Sequence, residues 1–446
     1  MNFRKLFLTI IALTTLSLSG KEPFDGAKED GTNTSREWPV LPLRKGGEKI
    51  RVLVSTDLGG TDPDDNQSMS HLLMFSDLFE TEGLVSSPSY GSGNKEAILR
   101  MIDIYEKDYP VLSKKIKGLA TPDYMRSVTK MGRRGGADFR GWDRPTEGSD
   151  WIVECARRDD PRPLYVLVWG GLEDVAQALH DAPDIAEKIR VYWIGGPNKK
   201  WGINGYAYIA ENFPNLWMIE NNTSYRGFMF QPKDKSEWQA GYYENHIKDR
   251  GNLGRDFAGY YKGNPKMGDT PSLLYVMSGD PADPSGESWG GKFRKIKRSP
   301  RTIYDRVTTE QDTIVANGMM EIRLKDVIPT DSAKISMVIL NQTWPGEYVG
   351  DGEYRVRYAT YTLGTHPYVI NANIQGFKPL QGKITVVNEW TGPEHDTDFI
   401  LGENWWSDID CPEENILGYP GDGTVLRHRK TVMEDWAKRW DLLKGK

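Results

Sequence analysis

Residues 55–66 read STDLGGTDPDDN, which places four carboxylates, Asp57, Asp62, Asp64 and Asp65, within nine residues beside two glycines and a proline. So many like charges repel one another unless a cation neutralises them, and oxygen-only ligands on a glycine-bearing loop suit Ca²⁺ or Mg²⁺. One Asp before a helix would read as a cap on a solvated turn; four together call for more. The spacing departs from an EF-hand loop, because no Glu stands at its twelfth position.

Other residues capable of chemistry say less. His71, His180, His246, His366, His395 and His428 show no paired metal spacing, and His71, in the helix after Asp65, reads as packing. Cys155 and Cys411 are too few for a disulfide framework or a cysteine zinc site, and one bridge or two separate thiols both stay open. Of the 15 Trp most read as core, while Trp201 and Trp289, each next to glycine, are candidates for stacking on a sugar ring. Arg133-Arg134 and Gly135-Gly136 read as a loop near the mouth of a site.

These residues need a scaffold, and the chain supplies a pattern for one. Short β-branched runs at 50–55, 83–86, 164–169, 189–194 and 216–220 alternate with helical stretches at 66–79, 94–105, 149–157, 172–182 and 206–212. The pattern predicts an α/β fold, an open and mostly parallel sheet flanked by helices. Ligands of such sheets bind outside the carboxyl ends of the strands, and the acidic cluster stands at the first strand exit. From about residue 301 alternating strands with turn signals take over, as at 353–358 and 383–388; residues 425–443 are helical again, with Val432, Trp436 and Trp440 four apart. The expected organisation is a signal peptide at 1–19, a flexible tether at 20–47, an α/β domain at 48–299, an inserted β-rich, sandwich-like module at 300–400, and a segment at 401–446 that returns to the α/β domain. Removing about 300–398 is expected to leave a folded core.

The formal net charge of −6 excludes the basic footprint of a nucleic-acid binder. Arg4 and Lys5, the apolar run 6–18 and the small residues Ser17, Ser19 and Gly20 have the three-part layout of a secretory signal. The apolar run is too short for a stable anchor and no later stretch is long enough, so an exported protein (periplasmic, cell-surface or secreted) with no transmembrane anchor is expected. Lys21 stands where a lipoprotein would carry its Cys.

The acidic strand exit resembles the nucleoside-hydrolase-like superfamily, in which a strand ends in Asp, a glycine turn follows and an Asp-Asp pair opens the next helix. Asp57 matches the first aspartate and Asp64-Asp65 the pair, on a turn longer than in nucleoside hydrolases proper that leaves Asp62 as a competitor for one role. Gly93-Asn94, Trp169-Gly170-Gly171-Leu172-Glu173-Asp174, Ile194-Gly195-Gly196 and Asn204 resemble further family blocks in order. The stretches 201–208, 213–217, 224–227, 268–274 and 288–293 are similar to one branch, secreted bacterial proteins with a nucleoside-hydrolase-like domain, some described as cellulose-binding. The resemblance covers about 48–295 and resumes at 403–440, whereas 300–400 matches nothing recognised.

The resemblance implies Ca²⁺ as cofactor and a hydrolysis in which metal-held water attacks an anomeric carbon. It makes Asp57 the catalytic base and a metal ligand, Asp65 and Asp269 further metal ligands, and Glu173 a ligand through its main-chain carbonyl. Asp64, Asn94, Asn204 and Trp201 are then the substrate-binding residues. Two departures stand out: Gly268 precedes Asp269 where the family has His, and Gly202 stands two residues before Asn204 where it has Glu. The expected function is an exported Ca²⁺-dependent hydrolase of a glycosyl bond in a pentoside, a glycan-derived glycoside or a nucleoside. The alternative is a carbohydrate-binding protein with a degenerate cleft. The expected partner is a carbohydrate or glycoside; a homodimer stays open.

Overall fold

The sequence of β1 (Ile50–Thr56), IRVLVST, buries all but its first residue, as a strand covered on both faces must. The computed structural model describes residues 40–446 other than Lys45, Thr61 and Tyr90; the expected signal peptide and most of the tether lie outside the described residues. After β1 come α1 (Asp64–Met74), β2 (Phe79–Ser86), α2 (Lys95–Lys115), α3 (Pro122–Ser127), β3 (Thr129–Met131), α4 (Glu147–Ala156), β4 (Leu164–Val168), α5 (Glu173–Asp181), β5 (Ile189–Ile194), α6 (Pro197–Trp201), α7 (Ile203–Asn212), β6 (Met218–Asn221), α8 (Gly251–Phe257), α9 (Thr270–Met277) and β7 (Phe293–Lys295).

The sheet runs β3-β2-β1-β4-β5-β6, then the strand Trp405–Asp408, then β7. All neighbours pair parallel except β7, which closes the edge antiparallel. The mostly parallel α/β architecture is the one the alternating pattern predicts. Helices α1, α2 and α9 cover one face with Leu72, Ile102 and Leu274 against Val52 and Val54. Helices α4, α5 and α7 cover the other with Ile152, Val175 and Ile209 against Val166 and Val168. The chain moves outward from β1 through β2 to β3 and returns to β4 on the opposite side of β1. The order therefore reverses between β1 and β4, and the crevice above their carboxyl ends is where such sheets hold ligands.

Several elements differ from the sequence expectation. Helix α2 runs on through Pro110 to 21 residues. Strand β3 has three residues and Trp405–Asp408 four; segments so short show no periodicity and take their identity from their neighbours in the sheet.

The β-rich segment forms an eight-stranded sheet of its own. Its strand Gln342–Gly350 pairs through its first half with Ile335–Ile339 and through its second with Glu353–Ala359. The two halves of this sheet enclose a core that includes Met320, Val356, Met337 and Ile370. The module is not independent of the α/β part, however: Val315, Met319, Trp390 and Phe399 share a hydrophobic cluster with Trp193, Tyr206 and Trp405. Buried Lys199 pairs with buried Glu220 and donates to the carbonyl of Asn317 at 2.9 Å. A deletion of the module would have to open this shared core.

Past the sheet, α10 (Asp422–Leu426) and α11 (Arg429–Trp440) follow, and α11 buries Val432, Trp436 and Trp440 in the cluster that holds α1 and α2. Cys155 is buried, Cys411 is partly exposed, and both are free thiols. Among the described residues no helix is long and apolar enough to cross a membrane.

Candidate functional site

Asp57 follows β1 directly, so the sheet fixes its backbone. The turn after it closes through a bond from Gly60 N to the Asp57 carbonyl at 2.8 Å. It pivots on Gly59, whose φ is +95° and whose missing Cβ would lie 2.8 Å from Ala97 Cβ, so only glycine fits there. The turn delivers Asp64 and Asp65 into the first turn of α1, where the helix dipole favours negative charge. Thr56 Oγ1 donates to Asp65 Oδ1, tying strand end to helix start. Asp269 arrives from the other side, immediately before α9. The hydroxyls of Ser68 and Thr270, 2.8 Å apart, join α1 to α9, and Gly268 N donates to Asp64 Oδ2 at 3.2 Å. A Cβ at Gly268 would sit 2.7 Å from that same oxygen, so the glycine where the resemblance implies His answers to the close approach of Asp64.

The result is a cavity of about 240 Å³ at the β1/β4 reversal, lined by five aspartates (Asp57, Asp62, Asp64, Asp65 and Asp269) and two basic side chains (Lys266 and Arg226). Carboxylate oxygens of Asp64, Asp65 and Asp269 lie within 4.8 Å of one another. Burial first, then the neighbouring Asp269, Asp57 and Asp64, pushes the Asp65 carboxyl well above the ordinary range. Burial, then Asp64, Asp57 and Asp62, does the same to Asp269. Asp57 is pushed up to about 6, chiefly by burial and against the help of hydrogen bonds with Asp65 and Ser89. Lys266 is held above its ordinary value: burial opposes its charge, but Asp64 and Asp62 outweigh that. One ammonium and one guanidinium cannot balance five carboxyls, and among the described residues the buried Asp269 Oδ2 has no hydrogen-bond partner. An orphaned acceptor among crowded carboxylates fits a hard divalent cation bound through oxygen.

The structure thus brings together Asp57, Asp64, Asp65 and Asp269, with Trp201 on the same cavity wall. It places three expected residues elsewhere. Asn94 caps α2, accepting from Ala97 N at 3.1 Å, because the side chain preceding a helix is the nearest acceptor for its unpaired N–H groups. Asn204, in α7, lines a second cavity and uses its amide on the Ala137 carbonyl at 3.2 Å and on Arg357 at 3.3 Å. Glu173 opens α5, so its carbonyl heads that helix's own ladder, while its carboxyl faces the second cavity. Trp289 is 2% exposed and donates to the Leu41 carbonyl at 3.1 Å, which makes it core rather than a sugar platform.

Sequence reasoning missed several residues that line the aspartate cavity, among them Asn198, Tyr225, Lys266 and Tyr361. Asn198 follows the Gly195-Gly196 strand exit and Tyr225 lies in the family-like stretch 224–227, so a signal existed for both. Lys266 sits in an irregular loop, and Tyr361 comes from the β-rich module at the end of Glu353–Ala359; neither had one.

Residues 51–293 match the family model described as cellulose-binding Sde182, nucleoside hydrolase-like domain. No curated protein matches the chain. Among solved structures, a nucleoside hydrolase-related hypothetical protein from Saccharophagus degradans, associated with carbohydrate metabolism, is 21% identical over 77% of this chain and 100% of its own, with a TM-score of 0.47. The inosine-uridine preferring nucleoside hydrolase from Bacillus anthracis is 18% identical over 57% of this chain and 87% of its own, with a TM-score of 0.37. A purine-preferring ribonucleoside hydrolase from Gardnerella vaginalis is 11% identical over 56% and 84%, with a TM-score of 0.36.

Proposed function

Because this chain belongs to the family described as cellulose-binding Sde182, nucleoside hydrolase-like domain, we propose that its aspartate cavity hydrolyses a glycosyl bond. The substrate is a pentoside, a glycan-derived glycoside or a nucleoside, and the protein works after export. The observation that carries this reading is the convergence of Asp64, Asp65 and Asp269 within 4.8 Å in the cavity that Asp57 also lines. Those four would hold the ion, and an all-oxygen set with an orphaned acceptor suits Ca²⁺. The chemistry such a cation would supply is to keep these carboxylates ionised and to make water at the site more acidic.

The chain's own residues do the rest. Asp57, held at a strand end, takes the proton of the attacking water. Five carboxylates set against a dication and the two basic side chains leave the cavity net negative, which favours positive charge developing on the sugar ring as the bond to the anomeric carbon breaks. Asp64 and Trp201 contribute a hydroxyl acceptor and a ring face to the same wall. Purified protein should carry about one Ca²⁺ per chain, melt several degrees lower after chelation, and cleave some member of a panel of nitrophenyl glycosides and nucleosides only when calcium is restored. Absence of metal by elemental analysis, with a melting curve indifferent to chelator, defeats the proposal.

A second reading, a carbohydrate-binding protein whose cleft no longer turns over, is favoured by one observation: Gly268 and Gly202 stand where the resemblance implies His and Glu. Tight binding of sugars with no cleavage of any glycoside, oligosaccharide or nucleoside would make it the better account.

A further inference from the structure

The aspartate cavity has a neighbour. A second cavity, also about 240 Å³, lies between the α/β part and the β-rich module; Ser89 and Trp201 line both. Trp201 packs at 4.6 Å between ring centroids, tilted by 36°, against Trp344 of the module. The second cavity's wall is built from buried polar groups as well as rings. Among the described residues, Glu173, 2% exposed, has no hydrogen-bond partner for its Oε2, and Trp344, 6% exposed, has none for its Nε1. Both residues line this cavity. An unmatched acceptor and an unmatched indole N–H, both buried beside the same space, are costly to keep unless something arrives to pair with them.

Arg357 shows that the wall is ordered rather than loose. Its guanidinium donates to Glu321 at 2.9 Å and to the Phe139 carbonyl at 2.7 Å, and lies over the Phe139 ring. Arg357 is paired with Glu321, and Lys200, which donates to Gln342 at 3.1 Å, and Glu347 add one charge of each sign to the lining, so the wall carries no net excess of either sign beside its hydrogen-bonding and aromatic groups. That chemistry suits a neutral ring bearing hydroxyls, whose C–H face packs on indole and whose edge exchanges hydrogen bonds.

We propose that the second cavity is a saccharide subsite contiguous with the aspartate cavity, so that the ligand is an oligosaccharide of at least two ring units passing Ser89 and Trp201, one unit in each cavity. This rests on the aspartate cavity being the glycosyl site, and it gives the β-rich module a role: Trp344 supplies recognition that the α/β part lacks. It also narrows the substrate class, since a nucleoside or simple pentoside fills the first cavity alone.

The test is calorimetric binding to the full chain, in calcium, of gluco-, xylo- and arabino-saccharides of one, two and three units, for wild type and for Trp344→Phe and Glu173→Leu. Melting temperature is recorded for each variant; Glu173→Leu replaces a buried carboxyl, one oxygen of which is unmatched, by an apolar group of similar size, so it keeps the test alive if the Trp344 variant folds poorly. The expected result is at least tenfold tighter binding of the dimer than of the monomer in one series. Each variant should then lose most of that gain while monomer binding stays within twofold. Equal affinity for monomer and dimer in every series, or variants that weaken both alike, overturns the subsite and leaves the aspartate-cavity reading standing. If no saccharide of any length binds in calcium, both fall.

Discussion

Asp57 and Asp62 bear the same carboxyl at two ends of one turn, yet their surroundings assign them different work. Asp57 is anchored by the sheet at the cavity floor. The Asp62 side chain is 54% exposed and pairs with Lys266 at 2.6 Å, a half-solvated contact that contributes no more than about 1 kcal/mol. A base must be held within hydrogen-bond reach of its water, so Asp57→Asn is expected to lower turnover of a cleaved substrate by about 10²–10⁴-fold with the fold intact. Asp62→Asn should cost less than about tenfold. Calcium content measured in both variants separates a lost base from a lost ion. Near-full turnover of Asp57→Asn with metal bound would move the base to Asp62 or another group. The residue types were legible because carboxylates crowded into one turn have few structural uses. Lys266 was not, since it is close to Asp62 only through the packing of a loop 204 positions away.

Helix α1 carries two of the five cavity aspartates and is buried from Asp65 to Met74, polar residues included. Its His71 stacks on Trp436 at 4.5 Å, has no hydrogen-bond partner among the described residues for either ring nitrogen, and has its pKa lowered to about 3 by burial and then by Arg439. Its folded-state value lies below the unfolded one, so the folded chain keeps His71 neutral while the unfolded chain takes up a proton below about pH 6.5. The stability is complete above that pH and falls on acidification by about 1.4 kcal/mol per unit from this group alone. Urea unfolding at pH 7.5 and 4.5 should show His71→Phe gaining roughly 2–3 kcal/mol on wild type at the lower pH; parallel loss in both proteins would contradict this. Asn94 invites a second test at this scale. As a cap on α2, its replacement in Asn94→Ala should cost about 1 kcal/mol and leave KM within about twofold. A tenfold rise in KM at unchanged stability would restore the substrate role that the Gly93-Asn94 resemblance implies. Element types were readable wherever the hydrophobic period ran long enough; the end of α2 beyond Pro110 was not, because tertiary packing outweighs the local cost of proline.

At the scale of the molecule, two sheets share one hydrophobic cluster, and a carbonyl of the β-rich module meets a buried ion pair of the α/β part. Excising the β-rich module would expose Trp193, Tyr206 and Trp405 and strip Lys199 of the Asn317 carbonyl while leaving it paired with Glu220. A deletion of 300–398 is therefore expected to give insoluble protein, or a product melting at least about 10 °C below the full chain, whichever linker joins the ends. A cooperative, full-chain melting temperature from such a product would show the α/β part to be self-sufficient after all. The same deletion removes Tyr361 from the aspartate cavity and Trp344 from its neighbour.

The sequence by itself determined what is local and repetitive: the alternation of strands and helices that yields a parallel sheet, and the acidic turn at the exit of β1. Both follow from periods and charges read within a dozen residues, where backbone geometry leaves little choice. Tertiary structure alone decided which carboxylates meet. Asp269 reaches Asp64 and Asp65 across some two hundred residues because α9 packs on α1 through Ser68 and Thr270. Glu173 and Asn204, placed beside the aspartates by motif order, turn instead toward a space that exists only because the β-rich module packs against α6 and α7. Motif order fixes the strand exit a residue follows; the direction of its side chain is set by the surface that arrives to cover it, and a segment distant in sequence supplies that surface here.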